Sequence, residues 1–270
     1  MTQNIYIKIA DITTRLVCDE KIAQQITETF SSFLTKGSFD YSVSVHVANA
    51  HDRKLPFAAE ASITDENFQI CCEEFIGHVN LSNKEGVVYI LSAWPFESLA
   101  SFLRSFYSAI IVQGGGLMLH AAGIVKKGRA HIFFGPSESG KTTVSKNSPA
   151  CSVLSDELIA IKSFAGRFGA YGTPYGKEKL GEASGPHPIA GFFKLVQDNQ
   201  VFLKQFSHAK ASTELLTIPR VCETFSAVNN ILHITDKLTE NIPCFELHFL
   251  PDDSFWRCID EHSYYMPANF

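Results

Sequence analysis

Apolar and polar residues alternate from Ile5 through Ile7 to Ile9, which predicts a half-buried strand near the start of the chain. Ile22, Ile26, Phe30, Phe33 and Leu34 then recur at helical spacing, so residues 19–34 read as an amphipathic helix that stops at Gly37. Tyr41, Val43, Val45 and Val47 return to strand alternation, and residues 49–55 are polar and turn-like. Three more strands are expected at 68–70, 75–79 and 87–91, the last two joined by a turn at 83–86. Leu99, Phe102, Leu103, Phe106 and Ile110 keep the helical pattern between Pro95 and Gly114-Gly115-Gly116.

The second half begins with a strand over 117–125, a turn at Lys126-Lys127-Gly128 and a hairpin partner over 130–134. A short helix is expected from Thr142 to just before Pro149, then strands at 152–157 and 158–161. Residues 166–185 form a glycine-rich stretch that reads as a substrate-facing loop. A hairpin of 192–196 with 201–203 around Asp198-Asn199 follows, then helices near 210–216 and 220–232, a strand at 245–250 and a helix at 252–261.

This alternation predicts an α/β protein. Residues 1–93 form a small α+β module, 94–112 a connecting helix and 113–270 a larger domain with a mixed sheet. The first module carries no catalytic constellation and reads as a structural or partner-recognition element.

Composition narrows the partners more than the fold. A net charge of −5 with no run of Lys or Arg argues against a nucleic-acid surface. No apolar stretch is long enough to cross a bilayer, and residues 1–4 do not open a secretion signal. Seven scattered cysteines without a C-x-x-C read as reduced structural thiols in the cytoplasm. Self-association is left open.

The chemistry concentrates in Gly135-Pro136-Ser137-Glu138-Ser139-Gly140-Lys141-Thr142-Thr143, which fits the phosphate-loop pattern G-x-x-x-x-G-K-[ST]. It lies between an apolar strand and a helix start, the context in which backbone N–H groups cradle phosphate oxygens. Lys141 is expected to neutralise the β- and γ-phosphates, and the Thr142 hydroxyl to ligate Mg²⁺. Asp156 and Glu157 end a later strand, where a second metal-site element stands in such folds. A carboxylate there can hold Mg²⁺ or accept a hydroxyl proton. His120 lies one hairpin away, and by pattern alone it is either a satisfied core histidine or a phosphate contact.

The ordered set Leu119-His120-Ala121-Ala122-Gly123, the loop, and Leu154-Ser155-Asp156-Glu157 resembles the kinase domain of the HPr kinase/phosphorylase family. More narrowly it resembles the HPr-kinase-like proteins found outside sugar-uptake regulation. Stretches 188–203 and 242–256 share the likeness, which covers about residues 113–270. The resemblance implies a phosphoenolpyruvate-carboxykinase-like phosphate-loop fold that transfers phosphate from a nucleotide to a serine. It implies that His120 lies near the transferred phosphate, that Lys141 and Thr142 serve phosphate and metal, that Asp156 is the general base and that Glu157 stands near the metal. Glu138 occupies a position where that family mostly has glycine, and Glu157 replaces an aspartate. The family's glycine/arginine signature is not found, so the resemblance does not carry over the phosphorylase reaction or HPr as substrate.

The expected activity is therefore a Mg²⁺- and ATP-type kinase acting on a serine-type hydroxyl of a protein, peptide or small molecule. The alternative is a nucleotide- or phosphate-binding module without transfer activity. A nucleotide-hydrolysing switch ranks last, because no water-positioning glutamine is identifiable.

Overall fold

The computed structural model describes residues 2–48, 56–57, 59–91, 93–176, 185–219 and 225–263. The turn expected at 49–55, residues 177–184 of the glycine-rich stretch and the start of the helix expected at 220 lie outside these. The chain divides into two units, Met1–Met118 with Arg220–Leu232, and Leu119–Pro219 with His233–Phe270.

In the first unit β1 (Thr2–Ile9) and β2 (Ile12–Asp19) pair as an antiparallel hairpin. Asp19 then caps helix α1 (Glu20–Thr29), its carboxylate accepting the Ile22 N–H at 2.9 Å. This helix is shorter than its apolar period suggests. Phe33 falls in a 3₁₀ turn, Ser31–Phe33, and is buried without extending α1, while the half-buried Leu34 bridges Ile7. Strands β3 (Tyr41–Val47), β4 (Glu60–Ile63), β5 (Asn67–Cys71), β6 (Phe75–Asn80) and β7 (Glu85–Ile90) complete a seven-stranded sheet ordered β1-β2-β3-β7-β6-β5-β4. Helix α2 (Pro95–Gln113) packs on this sheet: its buried Phe102 and Phe106 lie against Phe68, and Phe106 meets Tyr41 edge-on. Tyr107 locks it to the sheet, donating to Thr14 Oγ1 at 2.8 Å.

Strand β8 (Leu117–Leu119) ends at the first residue of the second unit, which holds β9 (Ala121–Lys126), β10 (Arg129–Phe134), helix α3 (Lys141–Lys146), β11 (Ser152–Ser155), β12 (Ile159–Phe164), β13 (Arg167–Tyr171), β14 (His187–Gln197) and β15 (Phe202–Gln205). Helices α4 (His208–Leu215) and α5 (Phe225–Asn241), strand β16 (Cys244–Phe249) and helix α6 (Ser254–Ser263) follow, α5 crossing the division between units. Nine strands form one mixed sheet in the order β11-β9-β10-β14-β13-β12-β8, with β16 also on β14 and β15 on β16. Both units thus combine helices with mixed sheets, as the α/β expectation requires.

Two pairings depart from the sequence expectation. The strand 201–203, here β15, pairs antiparallel with β16 and is no hairpin partner of β14, because β16 lies parallel alongside β14 and takes that edge. The glycine-rich stretch contains β13, paired with β12 and β14. Strands β10, β14 and β16 run parallel, so their carboxyl ends share one edge of the sheet. On one face Ala122, Ile124, Phe133, Phe193, Leu195 and Leu247 pack with Val144 of α3 and Phe255, Trp256 and Ile259 of α6. On the other face Lys194 reaches Glu214 of α4 at 2.8 Å, and Lys210 meets the same carboxylate at 2.6 Å.

Candidate functional site

Residues 135–140 connect the carboxyl end of β10 to α3, the strand–loop–helix context that the phosphate-loop motif requires. The loop is tight. A Cβ at Gly135 would lie 2.7 Å from Ser139 Oγ. Gly140 combines φ +107° with a Phe249 ring 2.5 Å from where its Cβ would stand. Between them the Ser139 N–H closes a turn on Pro136 O at 3.2 Å, and Glu138 takes φ +65°. That is the glycine-favouring third position of a turn, and a glutamate held there costs about 1–2 kcal/mol of backbone strain. Gln197, at the end of β14, holds this apex from below, its amide donating to Glu138 O at 2.8 Å.

Lys141 is buried, and its ammonium donates to the carbonyls of Gly135 at 3.0 Å and Pro136 at 3.1 Å. The charge therefore sits on the inner side of the loop, among dipoles that satisfy part of it. Ser139 is also buried, and its Oγ makes no hydrogen bond with the described residues. Ser137 and Glu138 are exposed on the loop's outside, while Thr142 and Thr143 are half-buried in the first turn of α3.

The acids come to the loop through strand pairing. β9 lies between β10 and β11, with Ala121 opposite Phe134 and Gly123 opposite Ser155. Asp156, just past Ser155, thereby reaches the loop edge, where Thr142 Oγ1 donates to its Oδ2 at 3.3 Å. Asp156 is only 4% exposed. Glu157 is half-buried, its N–H bound to Ser155 Oγ at 3.2 Å, so Asp156 is the acid that meets the threonine.

His120 does not sit mid-strand. It occupies a bend between β8 and β9, where its N–H donates to Ile218 O at 2.9 Å and its neighbour Leu119 bridges Pro219. Because Ala121 faces Phe134, His120 stands at the level of Gly135. His120 is half-buried in this bend.

Motif reasoning missed Gln197 and Phe249, which support the loop from strand ends far along the chain. It also missed Ser155 and Gly176, which pack around Asp156. A serine two residues before an N–H it can accept is the signal of a local side-chain turn, and Ser155 carries it.

Neither a protein-family model nor a curated protein matches this chain. Among the described residues no helix is long and apolar enough to cross a membrane.

Proposed function

We propose that this chain is a Mg²⁺- and nucleotide-dependent phosphotransferase acting on a serine-type hydroxyl, with a phosphoenolpyruvate-carboxykinase-like second unit. The observation that carries this reading is the Thr142–Asp156 hydrogen bond, which couples a phosphate loop to a buried carboxylate. The residues present fit a nucleotide polyphosphate and a divalent cation. The loop curls through positive φ at Glu138 and Gly140, a backbone shape that turns N–H groups to its concave side. Lys141 supplies the cation on that side, and the buried Ser139 hydroxyl has hydrogen-bonding capacity to offer an anion. Thr142, Asp156 and Glu157 are the hard oxygen donors that Mg²⁺ prefers.

Bound Mg²⁺ would neutralise charge developing on the phosphates. Lys141 shares that task from the loop. Asp156 would accept the proton of the acceptor hydroxyl at its carboxylate, Glu157 would stand on the metal side, and His120 would contact the transferred phosphate. A cytoplasmic setting suits the free cysteines Cys18, Cys71, Cys72, Cys151, Cys244 and Cys258. The second reading, a binding module without transfer, is favoured by Glu138, whose negative charge on the loop opposes a phosphate. Incubation with γ-labelled ATP, Mg²⁺, serine peptides and small alcohols separates the two. The proposal expects label on an acceptor that depends on Mg²⁺, whereas ATP binding with no transfer to any acceptor supports the silent module.

A further inference from the structure

The turn that carries Asp156 is held by residues outside the loop and the acid pair. Ser155 is fully buried, and its hydroxyl ties together two chain segments. It accepts the N–H groups of Glu157 at 3.2 Å and Leu158 at 3.1 Å, and it donates to Tyr175 O at 2.8 Å. Thr173 makes a second tie, donating from Oγ1 to Leu158 O and accepting the Tyr175 N–H at 3.4 Å. The short segment 173–176 is thus fastened along the turn that carries both acids.

The next residue is Gly176, and the reason it is glycine is space. Its φ is not in the left-handed region, so backbone freedom does not require it. A Cβ there would stand 2.9 Å from Asp156 Oδ1 and 2.9 Å from Ser155 Oγ. Real Cβ atoms essentially never approach so closely, and both neighbours are buried groups with little room to yield. Oδ2 of the same carboxylate accepts from Thr142. One oxygen is thus bound by Thr142, and the other lies in the space that a side chain at 176 would need.

We infer that Ser155 and Gly176 are positioning residues of the acid site: Ser155 fixes the turn, and Gly176 leaves the seat in which the Asp156 carboxylate holds its orientation toward Thr142. This rests on the phosphotransferase reading and extends it to the segment 173–176. A methyl group at 176 rotates or displaces the carboxylate and takes Oδ2 off Thr142, while Lys141 and the loop stay as they are. The defect is then specific to the metal and leaves the phosphate cradle intact.

The test is ADP binding by calorimetry, with and without Mg²⁺, on the full chain. Gly176→Ala should bind ADP without metal within about twofold of wild type, because Lys141 and the loop backbone are untouched. Its Mg²⁺ requirement for tight ADP binding should rise by about 10- to 100-fold, the usual consequence of losing a group that orients a metal ligand. Ser155→Ala should move the same way, and Gly176→Ala stands alone if Ser155→Ala fails to fold. Wild-type Mg²⁺ dependence in Gly176→Ala overturns the inference, as does an equal loss of ADP affinity with and without metal. A wild-type protein whose ADP affinity ignores Mg²⁺ overturns the phosphotransferase reading itself, and the inference with it.

Discussion

Thr142 Oγ1 donates to Asp156 Oδ2 at 3.3 Å, joining the first turn of α3 to the residue that follows β11. One lies in the helix that follows β10 and its loop, the other just past β11, and β9 brings them together by pairing with β10 on one side and β11 on the other. A hydroxyl and a carboxylate so placed can share one divalent cation, and the carboxylate can also take a proton from an incoming hydroxyl.

Asp156→Asn should therefore abolish most transfer while keeping the fold and nucleotide affinity. Asparagine preserves shape and a carbonyl acceptor for Thr142, but it cannot accept the proton. General-base assistance is worth about 10²–10⁴-fold, so single-turnover transfer from labelled ATP should fall by at least that range. Glu157→Gln should instead raise the Mg²⁺ concentration needed, and His120→Ala should fall between the two. Full turnover by Asp156→Asn at saturating Mg²⁺ would refute the mechanism.

Lys141→Ala should weaken ATP binding by about tenfold or more, since a hydrogen bond to a charged group contributes about 1.5–3 kcal/mol. It also frees the carbonyls of Gly135 and Pro136 that the ammonium now holds. Calorimetry with ATP measures the effect, and equal affinity in the two proteins would mean that the loop is not where nucleotide binds.

Much of this site was legible because its signals are local. A glycine-and-lysine loop after an apolar strand, and paired acids after another, are read within a few residues each. What was not legible depends on distant chain. The break at His120 is imposed by residues 218 and 219, which take its backbone out of the strand. β15 leaves its neighbour β14 because β16, far along the chain, occupies that edge. Phe33 kept a helical period because the core needs an apolar group there, not because the helix continues. Gly176 looked like one glycine among several, and only the position of Asp156 gives it a reason.

Glu138→Gly should make the protein about 1 kcal/mol more stable in urea, because glycine occupies φ +65° without the penalty glutamate bears there. The gain is partly offset by glycine's greater freedom in the unfolded chain. Removing the carboxylate should also tighten ATP binding, most clearly at low salt where its repulsion is least screened. Unchanged stability and unchanged affinity would mean that the loop tolerates the glutamate at no cost.

His131 gives a prediction about acid. It lies in β10, buried between Phe193, stacked at 5.9 Å, and Trp256, edge-on at 5.0 Å. Its Nδ1 has no hydrogen-bond partner among the described residues. Burial, with a smaller contribution from Lys126 and Arg129, pulls its pKa from 6.5 down to about 4. Above pH 6.5 neither the folded nor the unfolded chain protonates this ring, so it contributes nothing to pH dependence. Between 6.5 and 4 the unfolded chain binds a proton that the folded chain refuses, and stability falls as pH falls. By pH 4 the loss reaches about 3 kcal/mol, then levels off as the folded ring also protonates. His131→Phe keeps an aromatic ring between Phe193 and Trp256 and removes the titration. Urea unfolding of both proteins from pH 7.5 to 4.5 should show the variant losing less stability than wild type, the gap widening below pH 6.5. Parallel curves would show that the ring is protonated as readily in the folded chain as in the unfolded one.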